Sequence, residues 1–344
     1  MSNLIFLHKL KAKDTGEDLV SVIIPVRNEE KNIHWILEDL SKQDYTNLEI
    51  LVFDDESEDR TVEVVKEMSK KSDNLRLMHS GGLPPNWLGK NYACHSAAEL
   101  AQGTFYLFVD ADVRLQRSAV SKAVHFLKKE QSGLLSIFPV QIMKTVGEKV
   151  TVPVMNYILL SLLPLVLVRQ SNRPSLTAAN GQFMLFEASV YRQYEPHKTF
   201  KNSKVEDIQI ARYLKRKLVP VSCTTGIEEV SCRMYSGYHE AVYGFSKNII
   251  MFFGNSALLA ILFWMVTTFG FLPVVWAGNR LMIIIYFISL LLIRILIAIK
   301  SNRKIITSIL TLIPEQVTMG QMILQAILNR TTNQYQWKSR NISL

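Results

Sequence analysis

The stretch TFYLFVDADVRL, Thr104 to Leu115, decides the fold, because its run of apolar and aromatic residues ends abruptly in two carboxylates. Residues 105–109 are of the kind that a parallel sheet buries on both faces. Asp110 and Asp112 therefore stand where a buried strand leaves the core, and at that edge open α/β sheets bind ligands. Side chains two residues apart on an extended chain point to one side, and such carboxylates suit Mg²⁺ or Mn²⁺ that carries a diphosphate. Asp is also common in turns, so a plain strand-end turn stays open at this point.

Outward from this strand, the chain alternates between short apolar runs and amphipathic helices, which is typical of a sheet with crossover helices. Strands are predicted at 20–26, 49–55, 75–79, 105–109 and 134–140, with one more after the turn at 180–181. Helices are predicted at 32–43, 60–71, 92–101, 118–129, 205–217 and 236–253. Segments 219–225 and 227–235 are predicted to form a hairpin. Three strands end in the polar loops PVRNEE, FDDESEDRT and VDADV, which a parallel sheet places along one edge.

The composition is too apolar for an ordinary soluble enzyme, with 48% hydrophobic residues and a mean hydropathy of +0.12. The excess is local, because residues 248–279 contain no charged residue and no His. The net charge of +9 belongs to the tail, where 8 Lys and Arg face 1 Asp or Glu from Arg280 onward. A basic tail beside apolar segments favours the cytoplasmic face of a membrane and not a nucleic acid.

Two membrane spans are predicted, at 255–277 and 281–299. Lys247 precedes the first span and three cations follow the second, which places both ends inside and only Arg280 outside. Segment 305–328 has Pro314 and Glu315 near its middle, so a bent interfacial or re-entrant element is favoured over a third span. Segment 150–168 lacks charge, but it contains two prolines, and a crossing here would put Asp110 and Asp112 on the opposite side of the membrane from the residues that follow it up to Lys247. It is therefore predicted to be an apolar helix that lies in the membrane interface or packs against the domain.

The predicted domain organisation follows from these segments. An N-terminal segment occupies 1–19, a catalytic domain 20–247, a membrane region 248–304, and an interfacial segment with a basic cytoplasmic tail 305–344. The opening MSNLIFLHKLKAKD does not resemble a signal peptide. The three cysteines, few and odd in number, fit a reducing compartment and are expected to be plain core thiols. His239 is expected to be structural.

Four motifs in order carry a resemblance to a known family: IIPVRNEE at 23–30, FDDESEDRT at 53–61, DAD at 110–112 and VED at 205–207. On these, the chain resembles a family 2 inverting glycosyltransferase. The resemblance implies an α/β glycosyltransferase-A fold, a Rossmann-like mixed sheet, here followed by C-terminal transmembrane helices. More narrowly, six segments are similar to the membrane-anchored branch that glycosylates carotenoid and hopanoid-type lipids. They are NWLGKNYAC at 86–94, LLSIFPV at 134–140, GQFMLF at 181–186, RMY at 233–235, GFSKN at 244–248 and WKSR at 337–340.

The resemblance implies roles for single residues on the donor side. Pro25, Arg27 and Glu29 would line the nucleotide pocket, and Asp55 or its neighbour Asp54 would hydrogen-bond the uracil or ribose. The alternative is that the two acids only cap the next helix. Lys90 would meet a phosphate as a point charge, or would be a solvated lysine.

The metal and acceptor side follows in the same way. Asp112 is the expected ligand of Mg²⁺ or Mn²⁺, with Asp110 contacting the ribose or the metal. Asp207 is the expected catalytic base, with Glu206 as substitute, although acids at a helix start are common. Gln182 would contact the sugar or acceptor. Arg233 and Lys247 would meet phosphate, or only lipid headgroups.

The sequence departs from the processive members of the family, because no Gln-x-x-Arg-Trp stretch precedes the membrane helices. We therefore expect transfer of a single sugar from a UDP-sugar to a hydrophobic lipid acceptor by an integral membrane enzyme whose catalytic domain is cytoplasmic. Alternatives are synthesis of a polyprenyl-phosphate sugar, and a non-catalytic membrane binding module with the same fold. The sequence leaves the sugar, the acceptor and the oligomeric state open.

Overall fold

The computed structural model describes residue 13, residues 16–225 and 228–332, and residues 336–337 and 340–341. Most of the predicted N-terminal segment 1–19 therefore lies outside the described residues. So do Lys338 and Ser339 of the WKSR motif and most of the predicted basic tail.

The regular elements begin and end close to the positions expected from the sequence. The strands are β1 (Val20–Val26), β2 (Leu48–Asp54), β3 (Leu75–His79), β4 (Phe105–Val109), β5 (Val113–Leu115), β6 (Leu134–Phe138), β7 (Val140–Gln141), β8 (Phe183–Glu187), β9 (Val221–Thr225), β10 (Val230–Cys232), β11 (Gln336–Trp337) and β12 (Arg340–Asn341). The first helices are α1 (Ile33–Ser41), α2 (Thr61–Ser69), α3 (Gly89–Leu100), α4 (Ala119–Lys129), α5 (Val146–Thr151), α6 (Pro153–Leu162), α7 (Val166–Gln170), α8 (Ala188–Tyr194), α9 (Pro196–Thr199) and α10 (Glu206–Arg216). The later helices are α11 (Tyr238–Ser246), a 3₁₀ turn (Ile249–Phe253), α12 (Ala257–Phe269), α13 (Phe271–Trp276), α14 (Arg280–Lys300), α15 (Ile305–Leu310) and α16 (Leu312–Thr332).

The chain divides into two compact units, which we call the sheet unit and the helical unit. Of the described residues, the sheet unit comprises those up to Val140 and those in 165–232, and the helical unit comprises Gln141–Pro164 and those from Arg233 onward. The division differs from the expected boundary at residue 248, because α5, α6 and α11 join the helical unit.

The sheet unit is built on a seven-stranded mixed sheet of order β3-β2-β1-β4-β8-β6-β9. The first four strands are parallel, and β8 runs antiparallel between β4 and β6. β1 and β4 are buried almost throughout, as a strand with helices on both faces requires. The mixed sheet implied by the family resemblance is present.

The hairpin predicted from 219–225 and 227–235 is wrong. β9 pairs parallel with β6 at the edge of the large sheet, whereas β10 pairs antiparallel with β5 in a small second sheet. Two apolar runs that are close together in sequence suggest a hairpin, but they do not show whether each run pairs with a strand elsewhere in the chain. Here each of the two strands pairs with such a distant strand.

The helical unit has its own apolar core, shared by α6, α11, the 3₁₀ turn, α12 and α16. Segment 150–168, predicted as one apolar helix, forms parts of three helices that break at Val152–Pro153 and again between Leu162 and Val166. Val152, Val154 and Ile158 pack in the same core as Met322 and Ile323. The first two thirds of the segment are thus core of the helical unit, and its location at a membrane interface stays a prediction.

Two helical stretches are long and apolar enough to cross a membrane, Ala257–Trp276 (α12 and α13) and Arg280–Lys300 (α14). They coincide with the predicted spans to within two residues. In the most apolar 18 residues of each stretch, only 6% and 11% of the residues are buried within the protein. Most of their apolar surface is therefore exposed and available for contact with lipid.

A buried charge network joins α14 to α16. Glu315, 2% exposed, accepts hydrogen bonds from Arg294 at 2.7 Å and from Arg303 at 2.6 Å. Arg303 also donates to the carbonyl of Lys149 at 2.9 Å, and the Arg294 guanidinium lies 3.9 Å from the centroid of the Tyr157 ring. Glu315, which suggested a bend in the sequence, in fact fixes α16 against its neighbours.

Candidate active site

The candidate site lies at the carboxyl edge of β4, where the antiparallel course of β8 brings a second segment alongside. Val109 pairs with Phe183, so the residues that follow β4 meet the residues that precede β8. The backbone N–H of Asp110 donates to the carbonyl of Gln182 at 3.2 Å. The DAD motif and the Asn180-Gly181-Gln182 turn therefore form one structure, which is specified by strand register.

Lys90, on the first turn of α3, lies among the acidic side chains of the site. Its Nζ atom lies 2.7 and 3.0 Å from the two carboxylate oxygens of Asp110 and 3.7 Å from Oε1 of Glu206. Burial by itself would lower the pKa of Lys90, but the charges of Asp110 and Glu206 outweigh it and raise the pKa above its ordinary value. The lysine is therefore a permanent positive charge in the site.

Glu206 and Asp207 open α10 beside this lysine. Burial raises the pKa of Glu206 to about 7, with the neighbouring Asp207 adding to the rise and Lys90 opposing it. Asp207 is held by the backbone, because its two oxygens accept hydrogen bonds from the N–H groups of Gly181 at 3.1 Å and Ile208 at 2.7 Å. Burial raises the pKa of Asp207 as well. Two adjacent carboxylates at the start of a helix, one poised near neutral pH, can accept a proton.

Gly181 lies directly against these groups. A Cβ atom at this position would lie 3.4 Å from both Lys90 Nζ and Glu206 Oε1, and 3.6 Å from Asp207 Cβ, which are ordinary van der Waals distances. The turn that was predicted from Asn180-Gly181 thus runs directly across the acids.

Asp112 has the features of an incomplete cation site. Its Oδ1 atom is buried and accepts no hydrogen bond from the described residues. Burial and the nearby charge of Asp110 raise its pKa, so the ionised form has too few cationic partners. A divalent ion would supply what is missing. Among the described residues no group of three or more His, Cys, Asp or Glu side chains could hold a metal by itself. The donor set instead fits an ion held by one or two carboxylates with substrate phosphate and water as its remaining ligands.

The residues expected to bind the nucleotide lie together at the ends of β1 and β2, where Val26 pairs with Asp54. Arg27, 6% exposed, donates to the carbonyls of Asp55 at 2.6 Å and Glu56 at 3.0 Å, so it shapes the loop after β2. Asp54 accepts from the backbone N–H of Ser57 at 3.2 Å.

The other two donor-side candidates are at the same edge. Pro25 lies on β1 opposite Phe53, and Glu29 accepts from the side chain of Asn32 at 2.8 Å. The structure brings the donor-side candidates together, and their contact with a nucleotide stays a prediction.

Arg233 and Lys247 belong to the helical unit. Arg233 donates to Glu148 at 2.7 Å, and Glu148 is fully buried. The ammonium of Lys247 lies 4.7 Å from the centroid of the Tyr243 ring. The guanidinium of Arg233 is thus already held by a carboxylate, which gives it a structural role that the sequence did not suggest.

One contact near the site was not predicted from the sequence. Cys232 is free and fully buried, as expected of a core thiol, but its sulfur accepts a hydrogen bond from Gln182 at 2.9 Å and hydrogen-bonds Asp112. No sequence signal indicates this contact, because it depends on the pairing of β10 with β5.

Comparison with known proteins agrees with this geometry. Residues 21–195 match the model of glycosyl transferase family 2. A protein of Staphylococcus haemolyticus (strain JCSC1435) named 4,4'-diaponeurosporenoate glycosyltransferase is 29% identical over 274 residues, which cover 77% of this chain and 72% of that protein. Its namesake from Staphylococcus aureus (strain USA300) is 26% identical over 266 residues, or 75% of this chain and 69% of that one.

Among solved structures, the chain is similar to a mannosyltransferase from Pyrobaculum calidifontis determined in complex with GDP-Man and Mn²⁺. The TM-score is 0.59 at 17% identity, and the match covers 95% of this chain and 92% of that one. At this identity the similarity concerns the fold, and it confirms the expected α/β architecture.

Proposed function

The chain belongs to glycosyl transferase family 2 and is an enzyme, and from this premise we propose that it transfers a single sugar, with inversion, from a UDP-sugar to a hydrophobic, carotenoid-like lipid. The observation that carries the proposal is the meeting of Asp110, Glu206 and Asp207 around Lys90 at the carboxyl edge of β4. Such a constellation provides a cation for a diphosphate and a carboxylate for an attacking group in one place.

On the donor side, the loops after β1 and β2 hold the nucleoside, with Asp54 or Asp55 accepting hydrogen bonds from the uracil or ribose. Lys90 has a permanent charge, so it can exchange part of its contact with Asp110 for a phosphate oxygen of the donor. That exchange requires no proton transfer.

Asp112, with Asp110, would hold Mg²⁺ or Mn²⁺. When bound, the ion supplies Lewis acidity that neutralises charge developing on the diphosphate leaving group. The similar mannosyltransferase was determined with Mn²⁺, which supports a divalent ion here without choosing between the two.

On the acceptor side, Asp207 receives the proton of the attacking hydroxyl, with Glu206 as its substitute. The backbone N–H groups of Gly181 and Ile208 fix the orientation of the Asp207 carboxylate before the acceptor arrives. A base fixed in this way can face the sugar from the side opposite the leaving group, as inversion requires.

The lipid acceptor is proposed from two observations. The relatives are named for a carotenoid acid, and the chain has two helical stretches apolar enough to cross a membrane. We place the enzyme in the cell membrane as an integral protein, with the sheet unit on the cytoplasmic side, where nucleotide sugars and cationic flanks are both expected.

The test is to supply membranes containing the protein with labelled UDP-glucose, UDP-galactose or GDP-mannose and a carotenoid acceptor, and to identify labelled lipid by mass spectrometry. A carotenoid-linked sugar from a UDP donor supports the proposal. Label that mild acid releases as free sugar from a phosphate-linked lipid would instead favour polyprenyl-phosphate sugar synthesis. Absence of transfer, together with absence of UDP binding by calorimetry with Mn²⁺, would overturn the proposal.

A further inference from the structure

A buried thiol lies between the glutamine that precedes β8 and the second acid of the DAD motif. Gln182 is 4% exposed and Cys232 fully buried. The Nε2 group of Gln182 donates to the sulfur of Cys232 at 2.9 Å, and the thiol hydrogen-bonds the carboxylate of Asp112. The three side chains form a chain of hydrogen bonds that ends on the expected metal ligand.

Two strand pairings create this arrangement. The antiparallel register of β10 with β5 places Cys232 opposite Val113, one residue after Asp112. The antiparallel register of β8 with β4 places Gln182 beside Asp110. Strand register therefore brings the backbones of Gln182, Cys232 and the DAD motif side by side.

The pattern of satisfied and unsatisfied atoms indicates what the chain of hydrogen bonds is for. The sulfur accepts a hydrogen bond from Gln182, and the thiol lies beside the Asp112 carboxylate, to which its S–H can donate. Two oxygens are left buried and without a hydrogen-bond partner among the described residues, Oδ1 of Asp112 and Oε1 of Gln182. Buried acceptors are normally satisfied, and two in one network point to a cation or its bound water.

We propose that Cys232 and Gln182 are positioning residues for the divalent ion. The thiol binds one oxygen of Asp112 and so keeps Oδ1 available to the metal, while Gln182 fixes the thiol. The inference rests on the proposed function, because it takes Asp112 as a metal ligand. It assigns to Cys232 a role that a plain core thiol would not have.

The test measures the affinity of purified full-length protein for Mn²⁺ in the presence of UDP, from the electron paramagnetic resonance signal of free Mn²⁺. Cys232→Ala is expected to weaken Mn²⁺ binding by about tenfold or more, the usual effect of losing a partner of a metal ligand. Cys232→Ser retains a donor and an acceptor and is expected to recover most of the loss. Cys223→Ala, which removes another buried thiol on β9, is the matched control and is expected to leave Mn²⁺ affinity unchanged.

The outcomes separate the inference from the proposed function. Wild-type affinity in Cys232→Ala, while Asp112→Asn loses Mn²⁺, would overturn the positioning role alone. An equal loss in the serine and alanine variants would also overturn it, because packing and not hydrogen bonding would then be the cause. If the wild-type protein binds UDP but no Mn²⁺, the metal assignment in the proposed function fails as well.

If Cys232→Ala does not fold, the variant Gln182→Met tests the same inference. It keeps the volume near the sulfur but removes the N–H donor, and a several-fold loss of Mn²⁺ affinity is expected. Unchanged affinity in this variant would overturn the role of Gln182 and with it the proposed chain of hydrogen bonds.

Discussion

At the scale of single residues, the site is governed by an excess of carboxylates over cations. Asp110, Asp112, Glu206 and Asp207 lie near one lysine, and a buried charge is stable only if it is paired. Lys90 neutralises Asp110 and partly neutralises Glu206. Asp112 has no such close cationic partner among the described residues, and its pKa is raised. This shortage of positive charge is the reason that a divalent ion is proposed at Asp112.

The first residue-scale prediction concerns the base. Asp207→Asn is expected to reduce the rate constant for transfer to a hydroxyl acceptor by about 10²–10⁴-fold, the usual contribution of a general base. UDP affinity by calorimetry should stay near that of the wild type, because Asp207 is assigned to the acceptor side and the asparagine oxygen still accepts from one of the two backbone N–H donors. A carboxylate acceptor is already ionised at neutral pH, so a smaller loss is expected with it. Full turnover of a hydroxyl acceptor by this variant would remove Asp207 from the mechanism.

The second residue-scale prediction concerns the pH dependence of kcat. A base must be ionised, and burial raises the pKa of Glu206 to about 7, so its basic form is lost as the pH falls through that value. If Glu206 is the group that accepts the proton, kcat is expected to decline on acidification with a midpoint near neutrality. In Glu206→Gln this limb of the pH–rate profile should disappear. A profile of identical shape in both proteins would show that the carboxylate titrates without effect on the chemistry.

At the scale of elements, segment 305–328 shows what the sequence did and did not locate. Pro314 and Glu315 suggested a bend in this segment, and the chain there forms two helices, Ile305–Leu310 and Leu312–Thr332, that meet at Thr311 and not at Pro314. Proline is tolerated because it lies in the first turn, where its missing N–H has no intrahelical partner. Glu315 is tolerated because Arg294 and Arg303 neutralise it.

A stability prediction belongs to this element. Glu315→Ala leaves two buried guanidinium groups without their carboxylate, and breaking a buried ion pair in this way costs about 3–5 kcal/mol. Thermal unfolding in detergent should therefore begin at clearly lower temperature. Glu38→Ala, which removes an exposed ion pair with Lys42 on the sheet unit, is the control and should leave the unfolding curve close to that of the wild type. Equal unfolding curves for the two variants would mean that the buried network adds no stability.

At the scale of the whole molecule, the proposal places both ends of the membrane region in the cytoplasm. All three native cysteines are buried, so a single introduced cysteine should dominate labelling of intact cells. An impermeant maleimide is expected to label Ala277→Cys, in the connection between the two spans, and not Lys304→Cys, which follows the second. Labelling of both positions, or of Lys304→Cys alone, would contradict the orientation.

The sequence predictions were accurate where they depended on residues that are close together in the chain. Strands such as Val20–Val26 and Phe105–Val109 were located well because burial on both faces leaves a continuous apolar run. The predicted spans agree with the two apolar helical stretches for the same reason. The hairpin at 219–235 and the single helix at 150–168 were not found, because partners and breaks there are decided by distant contacts.

The sequence by itself determined the order of strands and helices, the apolar spans, and the positions at which acids follow buried strands, because these depend on neighbouring residues along the chain. The tertiary structure decided which side chains meet. Asp112, Gln182 and Cys232 come together only because β8 runs antiparallel to β4 and β10 pairs with β5. Strand register is a long-range property, so the acids of the DAD motif could be predicted from the sequence, whereas the thiol that holds one of them could not.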